Sequence, residues 1–246
     1  MPRCALITGS AGAIGSAMVE TFQQAGYLVC GLDRVAASHV RPDHHITVDL
    51  YELVHQPNTQ AAVLAEITAW LGGHTLDVLV NNAAYQYVSQ THPIPVDELS
   101  KSYSINVMAP YVLISGLAAV MTPALASVVN IGSVHSRLTK PGFVAYATTK
   151  AALAALTRGL ALDYADRLRI NCIEPASVET PMLLDGFATC PDKKAALQAH
   201  HPQQRIATPQ EIAALALAVS SGAVRFLHGA CIDISGGIAS RLHDPA

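Results

Sequence analysis

Charge is scarce in this chain. Only 13% of its 246 residues are Asp, Glu, Lys or Arg, and 15 basic against 18 acidic side chains leave a formal net charge of −3. The balance contains no dense Lys/Arg run, which argues against a general nucleic-acid or anionic-membrane surface. Cysteine is also sparse: Cys4, Cys30, Cys172, Cys190 and Cys231 are odd in number, widely scattered and form no C-x-x-C pair. Free thiols in a reducing compartment are therefore expected, rather than a disulfide framework or a zinc site. The apolar core of a signal peptide is missing, since Met-Pro-Arg runs directly into Cys4-Ala5-Leu6-Ile7-Thr8. What is abundant is hydrophobic side chain, at 51%, which excludes disorder and supplies a sizeable core.

One charge-free stretch, Ser102 to Ser136, is apolar enough to raise a membrane question. Asn106, Pro110, Gly116, Pro123 and Asn130 punctuate it too often for an unbroken spanning helix. It reads instead as a helix from about Val107 to Met121 and a buried strand, Ser127–Ile131. A helix this apolar on most sides needs cover all round, part of it from another subunit. The expectation is a cytoplasmic protein without membrane or nucleic-acid partners, assembled as a homo-oligomer (dimer or tetramer).

Short β-rich runs alternate with helical patterns along the whole chain. Strands are expected at Cys4–Thr8, Tyr27–Leu32, His45–Val48, Leu76–Asn81, Ser127–Ile131, Arg169–Ile173 and Ala230–Ile234. Helices are expected at about Ile14–Ala25, Gln60–Leu71, Val96–Met121, Tyr146–Tyr164 and Pro209–Val219. Strand–helix alternation with near-continuous apolar strands implies a parallel sheet covered on both faces. Right-handed crossovers make this a Rossmann-type, doubly wound α/β sheet of about seven strands, with ligands at the strands' carboxyl ends. A single domain, 1–246, is expected. A polar, His-rich excursion at about 182–206 interrupts the rhythm and reads as a substrate lid.

The first strand runs into Thr8-Gly9-Ser10-Ala11-Gly12-Ala13-Ile14-Gly15, which opens the first helix. Glycines let such a turn approach a pyrophosphate held on the amides of the helix N-terminus. Asp33 ends strand two, 18 residues beyond Gly15, the spacing of a carboxylate that grips ribose hydroxyls. That carboxylate would repel a 2′-phosphate by about 4 kcal/mol per charge pair at ~4 Å and an effective dielectric of ~20. Arg34 follows it and could partly offset the repulsion, so NAD is expected as cofactor, with NADP the second choice.

Tyr146-Ala147-Thr148-Thr149-Lys150 opens a long Ala/Leu helix, and residues four apart share a helix face. The ammonium is expected to favour phenolate and draw the tyrosine pKa down from ~10. Such a tyrosine can exchange a proton with a carbinol oxygen while a nicotinamide moves hydride. Ser133, ending strand five, can polarise the same oxygen. Asn82 follows strand four in Leu79-Val80-Asn81-Asn82-Ala83-Ala84, and Asn106 lies in Ser104-Ile105-Asn106-Val107.

With these residues in order, the sequence resembles the classical branch of the short-chain dehydrogenase/reductase family, from Thr8-Gly9 to the closing Asp233-Ile234-Ser235-Gly236-Gly237. The resemblance implies Tyr146 as general acid/base, Ser133 as stabiliser of the substrate oxygen, Lys150 on the nicotinamide ribose and Asn106 on a water of the proton relay. It also implies cofactor contacts from the turn containing Gly9, Gly12, Ala13, Ile14 and Gly15, from Asp33, from Asp49 and Leu50 beside the adenine, and from Asn82 and Ala83 near the adenosine. Pro175-Ala176-Ser177-Val178-Glu179-Thr180 is similar to the family's segment along the nicotinamide amide, with Pro175, Val178 and Thr180 as contacts. Arg205–Ala213 and Phe226–Gly229 match its C-terminal pattern. Ala84 and Ala176 stand where the family usually has glycine, and Glu174 before the proline is unusual. Gly12 also fits the extended epimerase branch, whose large C-terminal substrate domain a chain of this length lacks.

Substrate would meet Ser133, Tyr146, Tyr85, His135, Phe143 and Ser177, with Glu179, Met182 and Leu183 nearby. His135 could hydrogen-bond a substrate hydroxyl. The pairs His44-His45 and His200-His201 lack a Cys or acid at ligand spacing, so no metal is expected. The small-molecule substrate is then a secondary alcohol or ketone, leaning towards a polyol, sugar or hydroxy compound. Two other readings are an NADP-linked 3-oxoacyl (carrier-protein) reductase-like enzyme and a non-catalytic dinucleotide sensor.

Overall fold

A computed structural model describes residues 2–36, 40–89, 93–121, 126–185 and 191–242. Seven strands form one sheet: β1 (Arg3–Thr8), β2 (Tyr27–Asp33), β3 (His44–Thr47), β4 (Leu76–Asn81), β5 (Ser127–Ile131), β6 (Arg169–Pro175) and β7 (Cys231–Ile234). The order is β3-β2-β1-β4-β5-β6-β7, and every pairing is parallel. The strand order therefore reverses between β1 and β4, running outward to β3 on one side and to β7 on the other, the switch point at which a doubly wound sheet opens a crevice beyond its carboxyl ends.

The central strands are apolar on both sides because both sides are covered. Leu6, Leu79, Val128 and Ile170 pack into one buried cluster, and Ile7, Val80, Val129 and Ile173 into the other. Helix α1 (Ala13–Gln24) and α9 (Pro209–Ser220) cover the second cluster, with Met18, Phe22, Ile212 and Ala216 fully buried. Thr208 caps α9 in a reciprocal box with Glu211, and Pro209 occupies its first turn. The first cluster is covered by α2 (Leu50–His55), α3 (Pro57–Leu71), α5 (Ala109–Leu117) and α6 (Val144–Asp163).

Strands Leu76–Asn81 and Ser127–Ile131 fall where the periodicity places them, and the others differ by one or two residues at an end. The expected helix Val96–Met121 is broken up. It runs as α4 (Val96–Tyr103), a π-helical turn (Ser104–Met108), α5 and a 3₁₀ turn (Ala118–Val120). By length and mean hydropathy, 1.5 in its most apolar window, Val96–Val120 could cross a membrane. Here Leu113, Ile114 and Leu117 turn into the core, while Met108 and Tyr111 remain exposed. Periodicity overlooked α2, started by the Asp49 side chain accepting from the Tyr51 amide at 2.8 Å. In the stretch expected as a lid, α7 (Pro181–Asp185) and α8 (Pro191–His200) form. Cys190 and the Met182 side chain lie outside the described residues.

Candidate active site

At the nucleotide end, Gly9 adopts φ +66°, and a Cβ there would come within 2.9 Å of the Ala83 Cα. A Cβ on Gly15 would meet the Gly9 carbonyl oxygen at 1.9 Å. These two positions close the turn against β4 and against α1. At Gly12 a side chain would meet only that same oxygen at 3.4 Å, an ordinary contact, so the protein's own packing does not demand glycine there. Helix α1 starts at Gly12 with no side-chain cap and no acid in its first turn. Its leading amides and positive dipole end are therefore left for an anion, and the cradle fits the pyrophosphate of a dinucleotide.

Three side chains hold that cradle. The Thr8 hydroxyl accepts from the Asn82 and Ala83 amides, both at 3.0 Å. The Asn82 side chain donates to the carbonyls of Thr8, at 2.9 Å, and of Gly9, at 3.3 Å. Asp33 accepts from the Ala11 amide at 3.0 Å and the Val35 amide at 3.3 Å. The acid expected at the ribose thus also braces the glycine turn. Arg34 is exposed, with no hydrogen bond or ion pair among the described residues.

The reaction end is assembled from β5 and the start of α6. Ser133 lies two residues beyond β5, buried, capping the 3₁₀ turn Val134–Ser136 with its hydroxyl accepting from the His135 amide at 3.2 Å. Lys150 is 2% exposed, and its Nζ donates to the Ile131 carbonyl at 2.7 Å while lying 5.5 Å from the Tyr146 ring centre. Burial draws the ammonium down to about 8. Burial also pushes the half-buried Tyr146 phenol up, to about 12, although hydrogen bonding with Ser133 pulls the other way. The expected lowering by Lys150 does not set the direction here: the ammonium is held against the strand carbonyl and over the ring face, and desolvation of the phenolate prevails over the Ser133 hydrogen bond.

Asn106 sits in the π-helical turn, an insertion type concentrated at functional sites. Its amide is committed: Oδ1 accepts from the Tyr85 amide at 2.7 Å, and Nδ2 donates to the Tyr85 carbonyl and the Thr149 hydroxyl, both at 2.9 Å. Thr149 in turn donates to the Tyr146 carbonyl at 2.8 Å. Sequence reasoning missed Thr149; its place between Tyr146 and Lys150 was the available signal. It also missed a buried ladder from Asn81 to Asn130 to Thr157, at 2.8 and 2.9 Å, that ties β4 and β5 to α6.

The structure brings His135, Phe143 and Tyr146 together. The His135 and Phe143 rings stack at 4.7 Å, and His135 meets Tyr146 edge-on at 5.6 Å. Burial, then Lys140, lowers the His135 pKa and keeps it a neutral hydrogen-bonding group. Its Nδ1 pairs with the Thr139 hydroxyl at 3.1 Å. Tyr85 directs its hydroxyl elsewhere, to Glu98 at 2.7 Å. Ser177 lines a separate cavity of about 370 Å³ with His201, Arg205 and Ser235. Val178 and Ala207 form a parallel bridge that ties the nicotinamide-side segment to the stretch before α9. Thr180 receives the Leu183 amide at 3.3 Å, and Glu179 pairs with Lys194 of α8 at 3.0 Å. Of the histidine pairs, His44 meets Glu66, His45 the Val35 carbonyl and His201 the Leu197 carbonyl. Cys172, Glu174 and Cys231 do lie close enough together to offer a metal three ligands, a cluster hidden from spacing because it spans two strands.

A parallel doubly wound sheet with a glycine cradle at its switch point and a Ser–Tyr–Lys set beside it defines a dinucleotide-dependent oxidoreductase. Comparison narrows the class. Residues 9–239 match the family model described as enoyl-(acyl carrier protein) reductase. FixR of Bradyrhizobium diazoefficiens is 33% identical over 96% of this chain and 86% of its own length. The ligand-free aldohexose dehydrogenase of Thermoplasma acidophilum superimposes with a TM-score of 0.90 at 27% identity, covering 100% and 97% of the two chains. A Beutenbergia cavernae protein assigned as an NAD(P)-dependent gluconate 5-dehydrogenase, with NADP bound at low occupancy, gives 0.85 at 25% identity, covering 97% of each. The chain belongs to the classical short-chain dehydrogenase/reductase family, and is an enzyme acting on hydroxyl or keto groups with a nicotinamide dinucleotide.

Proposed function

We propose that this enzyme exchanges hydride between NAD and a secondary alcohol or ketone of a polyol, sugar or hydroxy compound. The observation that carries the reading is the convergence of Ser133, Tyr146 and Lys150 at the carboxyl end of β5, beside the glycine cradle. The bound dinucleotide would supply or take the hydride. Gly9, Gly12, Ala13, Ile14 and Gly15 would hold it, with Asp33, Arg34, Asp49, Leu50, Asn82 and Ala83 on the adenosine side. Pro175, Val178 and Thr180 would lie along the nicotinamide.

Tyr146 moves the proton of the substrate oxygen, and Ser133 donates a hydrogen bond to that oxygen. With its phenol pushed up by burial, Tyr146 rests protonated at neutral pH and is ready to act as acid towards a ketone. Lys150 adds positive charge beneath the ring, and Asn106 holds the Tyr85 loop and, through Thr149, the start of α6. The domain is single, with 182–206 as lid; the pair Glu179–Lys194 fastens α8 near the nicotinamide-side segment.

The polar preference rests on His135 beside Tyr146, and it agrees with the sugar and sugar-acid names of two structural neighbours. NAD over NADP rests on Asp33, whose carboxylate stands at the end of β2 with Arg34 exposed beside it. Exposed Met108 and Tyr111 on the apolar helix favour homo-oligomeric assembly, and the reading places the enzyme in the cytoplasm. Titrating the protein with NADH and NADPH while following nicotinamide fluorescence tests the cofactor: at least tenfold tighter NADH, ~1.4 kcal/mol, is expected. Preference for NADPH would sink the NAD assignment and turn the substrate screen to NADP-linked ketone reduction, including 3-oxoacyl thioesters.

A further inference from the structure

Behind the reaction centre, Cys172 of β6 and Cys231 of β7 stand directly opposite each other in the parallel register. Their side chains share one face of the sheet, and both sulfurs lie with a Glu174 carboxylate oxygen inside a 4.8 Å cluster. Opposed residues of neighbouring strands fall within the Cα separation that a disulfide spans. Cys172 is buried, whereas Cys231 is partly open and borders a cavity of about 230 Å³ with Arg137, Arg158 and Glu174. Arg158 approaches the Cys231 sulfur at 3.6 Å, and Arg137 lies 3.2 Å from Glu174 and 2.9 Å from Asp233. Two guanidiniums beside the cluster oppose a resident cation. They suit a thiolate instead.

We propose that Cys172 and Cys231 are a reversible oxidation site that closes to a disulfide when the enzyme meets a peroxide. Contact with the Cys172 sulfur, helped by Arg158 and opposed by burial and Glu174, draws the Cys231 thiol below its ordinary value. Cys172 is held well above the usual thiol range, chiefly by that same contact and by burial, and so remains the protonated partner. Cys231 thiolate attacks one peroxide oxygen: the S–O bond forms, the O–O bond breaks and, with a proton from water, the second oxygen leaves as water. The Cys172 sulfur then attacks the Cys231 sulfenic acid. The S–S bond forms, the S–O bond breaks, and the hydroxyl leaves with the Cys172 proton as a second water. The two sulfurs together lose two electrons and the peroxide gains them. The site is coupled to the reaction centre by position, since a Cβ on Gly132, the residue before Ser133, would come within 2.7 Å of the Cys172 sulfur.

Cys4 and Cys30 provide an internal contrast. Both are buried with thiols pushed up by burial, and the register sets them against Leu28 and Leu6 rather than each other. The test is to treat the purified full chain with equimolar hydrogen peroxide, quench, alkylate under denaturing conditions and map the peptides by mass. The expected product has lost two hydrogens, carries a Cys172–Cys231 cross-link, keeps Cys4 and Cys30 alkylatable, and reverts with dithiothreitol. Cys231→Ser, or Cys231→Ala if the serine variant folds poorly, should abolish the cross-linked product. An unreactive pair, a sulfinic acid on Cys231 with Cys172 still alkylatable, or a cross-link to a different cysteine would overturn the proposal.

Discussion

The two ends of the crevice are built on different principles. At the nucleotide end the constraints are backbone ones: a left-handed Gly9, a Gly15 with no room for a methyl, and amides of α1 left uncapped. At the reaction end the constraints lie in side chains: a fully buried ammonium, a desolvated phenol and an asparagine spent on Tyr85 and Thr149. Backbone constraints tolerate little, so they leave a local signature in sequence. Side-chain constraints depend on what other segments deliver, so their energetics emerge only on folding.

The sharpest way to break this contrast is to remove one oxygen at the reaction end. Tyr146→Phe is expected to lower turnover on the order of 10²–10⁴-fold, the range of a lost general acid. The affinity for NADH, measured by fluorescence, should stay within about twofold. Wild-type turnover in that variant would remove Tyr146 from the mechanism.

At the opposite end, Gly15→Ala adds a methyl where the Gly9 carbonyl oxygen already stands. The turn must shift, at a cost of roughly 1–3 kcal/mol by analogy with overpacked cores. Here NADH affinity should fall together with thermal stability. Gly12→Ala meets only an ordinary protein contact, so stability should hold and any loss should appear in dinucleotide affinity alone. Equal destabilisation by the two would show that the turn, rather than its ligand, sets the requirement at both positions.

Charge can be separated from geometry at Asp33. Asp33→Asn keeps an oxygen to accept from the Ala11 amide but removes the negative charge, so the glycine turn should persist. The NADH-to-NADPH affinity ratio should drop by about tenfold, ~1.4 kcal/mol. An unchanged ratio would mean that Asp33 serves the turn and not the choice of cofactor.

These contrasts match what could be read beforehand. Thr8–Gly15 is contiguous and Asp33 follows it at a recognisable spacing, so the cradle was legible directly, whereas the strand order was not. Tyr146 and Lys150 are one helical turn apart and were equally plain. The direction of the tyrosine pKa was not, because a count of charges carries no measure of desolvation. The π-helical turn at Asn106 was invisible for a similar reason: an apolar run looks the same whether its ladder is regular or carries an insertion. Ser177 pairs spatially with the 201–207 stretch and with β7, contacts set by three remote segments, and the Cys172–Cys231 pair arises from register alone.

A pH-dependent effect follows from the buried ammonium. Lys150 titrates at about 8 in the folded protein against an ordinary 10.5, so between those values the unfolded chain binds more protons. Stability must then rise with pH over that interval, and the contribution is lost as pH falls through about 8. Tyr146 acts with the opposite sign above pH 10, where the folded phenol, at about 12, keeps a proton the unfolded one has released. Denaturant unfolding of the wild type and Lys150→Met between pH 7.5 and 10, roughly the interval of the lysine and below that of the tyrosine, should show a slope more positive in the wild type than in the variant. Parallel curves would mean that the ammonium is solvated or paired in the folded state, and the argument for a desolvated reaction end would fail with it.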